Sequence, residues 1–151
     1  MSAERFSKET HIVNLLHRYL VENKYVIVQL VPPGGQSTYS ISFSTTDGKR
    51  KTVFPDLICL NTKHILIAEA KAKFSAPDKR KLCLMRDSPT AQMSIRDLVA
   101  RVTNRKSQNF PVSFCLVHGD SSATPDREID QLVLSADKVI YIPAIPDSHK
   151  R

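Results

Sequence analysis

The sequence contains no tryptophan, and phenylalanine and tyrosine bring the aromatic share to only 7%. That scarcity weakens any role resting on stacking platforms for single-stranded bases. Cysteine is scarce and odd in number. Cys59, Cys83 and Cys115 lack the paired spacing of a zinc site, and Cys59 and Cys115 lie in apolar runs, as reduced, buried small hydrophobes do. No run approaches the roughly 18 consecutive apolar residues of a membrane span, and residues 1–8 hold no apolar signal core. The expectation is a chain without membrane contact, cytoplasmic, or nuclear if its source has a nucleus. Internal repeats and low-complexity tracts are absent too. Acidic residues are outnumbered: 15 Asp and Glu stand against 22 Lys and Arg, a net charge of +7.

At roughly 100 to 200 residues per domain, 151 residues make one domain, 1–151, with its core over about 8–145. A hydrophobic share of 41% and a charged share of 25% are those of ordinary globular chains. The charge excess is localised. Residues 63–106 carry 11 basic and 4 acidic residues, and the remainder of the chain is balanced. Clustered charge is a binding surface where scattered charge is only solubility, so a polyanion is the first partner to consider.

Ile12, Leu15, Leu16, Tyr19 and Leu20 recur at helical spacing and predict a helix over 8–23, capped by Ser7 with Glu9 in its first turn. Residues 25–31 form a β-rich run stopped by two prolines and two glycines. Residues 38–45 alternate, Asp47 and Gly48 signal a hairpin turn, and 51–60 then reads as a buried strand. A turn at 61–64 leads into another buried strand, followed by a basic linker. Ser88 and Pro89 open a helix with Ile95, Leu98, Val99 and Val102 as its stripe. Residues 111–118 predict a strand, Thr124 to Asp126 a capped helix containing Ile129, Leu132 and Val133, and 138–145 a last strand. Together these predict an α/β fold with a mixed central sheet flanked by helices.

Charged residues within apolar strands need an explanation, since an unpaired buried charge is costly. Asp56, Glu69 and Lys71 are such residues. A turn centred between Thr62 and Lys63 pairs Asn61 with His64 and, counted outward, sets Asp56 opposite Glu69, with Lys71 on the same face. Facing carboxylates repel unless a cation lies between them, and Mg²⁺ prefers such oxygen ligands. Beside it, a lysine ammonium would orient or help deprotonate a water, the chemistry of phosphodiester hydrolysis. The alternative is an exposed Asp56 and a Glu69 paired with Lys71 or Lys73 in a solvated patch.

Pro55 and Asp56, then Glu69, Ala70 and Lys71, resemble the motif of the PD-(D/E)xK nuclease superfamily. The expected element order resembles that superfamily's restriction-endonuclease-like αβββαβαβ core over nearly the whole chain. The resemblance implies a Mg²⁺-dependent DNA endonuclease, with Mn²⁺ able to substitute. Asp56, Glu69 and the Ala70 backbone carbonyl would be metal ligands and Lys71 the water-activating residue. Glu9 in the first helix resembles an additional acidic ligand of archaeal Holliday-junction resolvases; its plainer role is a first-turn helix acid. Pro-Asp recurs at Pro77 and Asp78, at Pro125 and Asp126 and at Pro146 and Asp147, where turn or helix-start chemistry accounts for it.

Lys73, Lys79, Arg80 and Lys81 follow the motif, and Arg101 and Arg105, four apart, are expected on one side of the next helix. They are candidates for phosphate contacts, and Gln92 for a contact to the site or the DNA. A chain too short for a separate recognition domain points to structure-selective cutting, as a homodimer or as a subunit of a DNA-processing complex. The alternative is a non-catalytic nucleic-acid-binding or assembly subunit that retains the fold.

Overall fold

The computed structural model describes residues 3–106, 109–135 and 138–146, with side chains from residue 8 onward. Helix α1 (Ala3–Glu22) buries Ile12, Leu15, Leu16 and Leu20 and stops at Lys24, whose φ is 65°. It begins earlier than its stripe suggests, so Ser7 lies within the helix and is not its cap.

Six strands form the central sheet in the order β1-β4-β5-β6-β7-β8: β1 (Val26–Leu30), β4 (Leu57–Leu60), β5 (Ile65–Ala70), β6 (Val112–His118), β7 (Asp130–Ser135) and β8 (Lys138–Ile142). β1, β4 and β5 are antiparallel, β5, β6 and β7 parallel, and β8 returns antiparallel. The chain is therefore α/β, with a mixed central sheet flanked by helices. Side chains alternate across it. Leu57, Cys59, Leu66, Ala68, Cys115 and Val117 pack toward α1. Ile58, Leu60, Ile65, Ile67, Phe114 and Leu116 pack in the opposite core with residues of α2 (Ala76–Arg86) and α3 (Pro89–Thr103). Each fully buried aliphatic side chain contributes about 1.5–3 kcal/mol.

A two-stranded hairpin, β2 (Ile41–Ser44) and β3 (Arg50–Val53), turns through Gly48 at φ 83° and stands apart from the central sheet. It rests on α3. Ser88 Oγ donates to Ser44 O at 2.8 Å, Thr90 Oγ1 accepts from Ser44 N at 2.9 Å, and Ser94 Oγ donates to Ser42 O at 2.9 Å.

Four further expectations are corrected. Residues 51–60 are not one strand: β3 ends at Val53, and after Pro55, which has no N–H to offer a ladder, the chain enters the other sheet as β4. The basic linker is helix α2. Ser75 caps it by accepting from Asp78 N at 3.3 Å, and Leu82 and Met85 are its buried face. The helix expected after Thr124 is strand β7. Asp126 holds the preceding loop by accepting from the N–H groups of Glu128 and Ile129, and residues 131–134 are buried between β6 and β8. Lastly, α3 ends at Thr103 with Asn104 in the left-handed region, so Arg105 lies beyond the helix and does not share a side of it with Arg101.

Candidate active site

The β4–β5 ladder runs from Leu60 opposite Ile65 to Leu57 opposite Ala68, the register that the turn dictates. One step further the backbones part and side chains take over. Asp56 N donates to Glu69 Oε2 at 2.6 Å, and Ala70 N donates to Asp56 Oδ2 at 3.0 Å. The two carboxylates thus meet where the hairpin opens. Lys71 follows, its ammonium 3.7 Å from Asp56 Oδ2.

The stretch bearing Asp56 is clamped from β1. Buried Gln29 sits at a bulge in β1, donates to Pro55 O at 2.8 Å, and accepts from Thr38 N and Tyr39 N at 2.9 and 2.8 Å. Val31 N donates to Asp56 O at 2.8 Å. The peptides flanking Asp56 are therefore held by groups independent of its own carboxylate.

Glu69 is 1% exposed. Burial, and then the charge of Asp56, push its carboxyl up to about 7, against the downward pull of Lys81 and of the Asp56 N–H. Lys81, from α2, reaches in to pair with Glu69 Oε1 and also donates to Phe54 O at 3.2 Å. Lys71 is displaced in the other sense. Burial lowers its affinity for a proton, but Asp56, Asp78, Glu69 and Glu9 outweigh that and hold the ammonium above its ordinary range. Glu9 of α1, itself buried, is among the charges that act on Lys71.

Asp78 belongs there as well. Its Oδ2 lies 3.9 Å from Lys71 Nζ and is buried without a hydrogen bond. Sequence reasoning set it aside as a helix-start residue. That role is real, since its N–H meets Ser75, but its side chain faces the lysine. Gln29 was also missed. The signal for Asp78 was a second Pro-Asp within ten residues of Lys71; for Gln29 there was none beyond a polar residue in an apolar run.

The remaining candidates separate. Arg80, Lys73, Arg101 and Arg105 are exposed. Lys79 is tied to Asp126 and Glu128 at 3.0 and 3.1 Å, and Lys81 points inward. Gln92 is not drawn to the carboxylates: its Nε2 donates to Arg86 O at 2.8 Å, at the end of α2. Of the histidines, His64 bridges Tyr25 and Ser113, and His118 is buried against Gln131.

Among the described residues, no group of three or more His, Cys, Asp or Glu is arranged to hold a metal ion. The ligand set implied by the resemblance is smaller, two carboxylates and a main-chain carbonyl. Its chemistry fits Mg²⁺, which keeps several waters and uses one or two protein carboxylates with substrate phosphates. The charge balance fits also, since Glu69 is buried beside a second carboxylate and already draws Lys81 inward. Among the described residues, no helix is long and apolar enough to cross a membrane. Comparison with known proteins finds no matching family model, no matching curated protein and no matching solved structure.

Proposed function

We propose that this chain is a Mg²⁺-dependent DNA endonuclease of the PD-(D/E)xK kind, structure-selective or the nuclease subunit of a DNA-processing complex, and working as a homodimer or within that complex. One observation carries the reading: Asp56 and Glu69 meet at the open end of the β4–β5 hairpin with the Lys71 ammonium 3.7 Å from Asp56. The order of α1, a three-stranded antiparallel meander, helices and then a parallel strand also suits a restriction-endonuclease-like core.

Asp56, Glu69 and the Ala70 carbonyl would hold the metal, with Glu9 near enough to add charge. When bound, Mg²⁺ polarises the phosphoryl oxygen and acidifies a bound water. In the metal-free chain the carboxylates around Lys71 favour its charged form, and a lysine beside the metal would orient or help deprotonate a water and stabilise developing negative charge. The test is cleavage of supercoiled, branched, linear and single-stranded DNA with Mg²⁺, Mn²⁺ or chelator. Asp56→Ala and Lys71→Ala are expected to abolish metal-dependent cleavage while retaining the fold; cleavage persisting in both overturns the assignment.

The pairing of Lys81 with Glu69 favours a second reading, a non-catalytic nucleic-acid-binding subunit whose own ammonium permanently balances the carboxylates. Calorimetry separates the two: Mg²⁺ or Mn²⁺ binding that is lost in Glu69→Gln supports the enzyme, and no binding beside salt-sensitive DNA binding supports the subunit.

A further inference from the structure

Between the hairpin and α2 lies a groove of about 500 Å³, lined by Lys51, Phe54, Pro77, Arg80, Lys81 and Leu84 among others. Its composition is one-sided: three cations and no carboxylate. The cations of α2 divide into two sets. Lys79 pairs with Asp126 and Glu128, Arg86 with Asp87, and Lys81 with Glu69. Arg80 on the helix and Lys51 on β3 have no ion-pair partner among the described residues, and both line the groove. The apolar part is open as well, with Phe54 56% and Leu84 37% exposed. Lys81, which lines the groove, joins the Phe54 carbonyl to Glu69 and so links the groove to the carboxylate pair.

Phosphates of a regular duplex would satisfy Lys51 and Arg80 but leave the Phe54 ring in water. A strand with an unpaired base satisfies both, its phosphates on the cations and its base on the ring. We infer that this groove binds an unpaired nucleotide segment, with a base against Phe54, a phosphate between Lys51 and Arg80, and the strand directed toward Glu69. The sequence is poor in aromatics, which argues against an extended stacking platform; one exposed ring beside two unpaired cations suffices for one base. Only the direction of the strand rests on the nuclease reading. The hairpin, outside the basic stretch of residues 63–106, thereby supplies one wall of the nucleic-acid surface.

The experiment uses the absence of tryptophan. Phe54→Trp gives the full chain a single indole, whose fluorescence is titrated with oligothymidylate in chelator, where cleavage plays no part. Quenching on binding is expected, with weaker quenching by a blunt duplex of the same length and none by polyglutamate. Phe54→Ala, at an exposed position whose circular dichroism should match wild type, is expected to weaken oligothymidylate binding about tenfold or more and duplex binding little. Lys51→Ala and Arg80→Ala should each lower the logarithmic salt slope for the single strand by about 0.7. Unquenched fluorescence with the oligonucleotide bound, equal losses on single strand and duplex in Phe54→Ala, or equal binding of polyglutamate would overturn the inference. Because every readout is metal-free binding, a Phe54→Trp/Lys71→Ala protein that is inactive yet still quenched refers failure to the chemistry and not to the groove.

Discussion

Replacing Glu69 with glutamine should make the metal-free protein more stable in neutral and alkaline solution while removing the carboxylate proposed to hold a metal. Burial and the neighbouring Asp56 move the Glu69 carboxyl from an ordinary 4.5 to about 7. Between these values the folded chain retains a proton that the unfolded chain has released, so stability falls as pH rises through this window. Below the window nothing is lost. Above it the full cost applies, about 3 kcal/mol at about 1.4 kcal/mol per pH unit. Glutamine keeps the shape of the protonated acid, accepts from Asp56 N, and does not titrate. Glu69→Gln should therefore gain up to about 3 kcal/mol at pH 8 and nearly nothing at pH 4, in chelator. For a domain of this size that is a rise in melting temperature of roughly 6–12 °C. Thermal or urea unfolding at the two pH values is the assay. Lys81→Met is the opposing control, because loss of its ammonium removes a downward pull on Glu69 and should destabilise the chain most at high pH. A Glu69→Gln protein that is no more stable than wild type at pH 8, or whose gain is the same at both pH values, refutes the electrostatic account of the site.

Other substitutions test neighbouring parts. Asp78→Asn removes one of the carboxylates that raise Lys71, so the lysine should titrate at lower pH, read by NMR of its Nζ or by the alkaline limb of any cleavage profile. Gln29→Ala leaves Pro55 O, Thr38 N and Tyr39 N short of partners and should cost about 2–4 kcal/mol, measured by urea unfolding. Ser88→Ala removes both the cap of α3 and its bond to Ser44 O, for about 1–2 kcal/mol, and should increase hydrogen exchange in β2. Leu60→Ala, in the core beneath α3, should cost about 2–5 kcal/mol without altering the carboxylates.

The β4–β5 hairpin was legible because three signals agree on its register: a short polar turn, apolar strands on either side, and the two-residue period that sets facing partners. From that register the meeting of Asp56 with Glu69 followed, and the structure has it. Helix α2 was obscured by its charge. Four cations, Lys79, Arg80, Lys81 and Arg86, dominate eleven residues whose buried stripe is only Leu82 and Met85. β7 was misread because a strand buried on both faces has no alternation, and Ile129, Leu132 and Val133 then match a helical spacing by coincidence. Contacts that cross the fold, such as Gln29 to Pro55, Asp78 to Lys71 and Lys81 to Glu69, join residues from elements whose relative placement no local pattern contains. Propensity also says nothing of which sheet a strand joins, and so the division of residues 51–60 between two sheets was hidden.

That division has a consequence for how such a surface changes over time. Phe54 lines the groove, Asp56 belongs to the carboxylate pair, and only Pro55 separates them, with its carbonyl held by Gln29. The tip of the hairpin at residues 46–48 is exposed and tolerant of insertion, while the clamp keeps Asp56 where the central sheet sets it. Lengthening or recharging the hairpin would thus remodel what the groove accepts and leave the carboxylates in register. The part of the surface borne by the hairpin and the part fixed by the central sheet abut at one proline, so a change in the first need not displace the second.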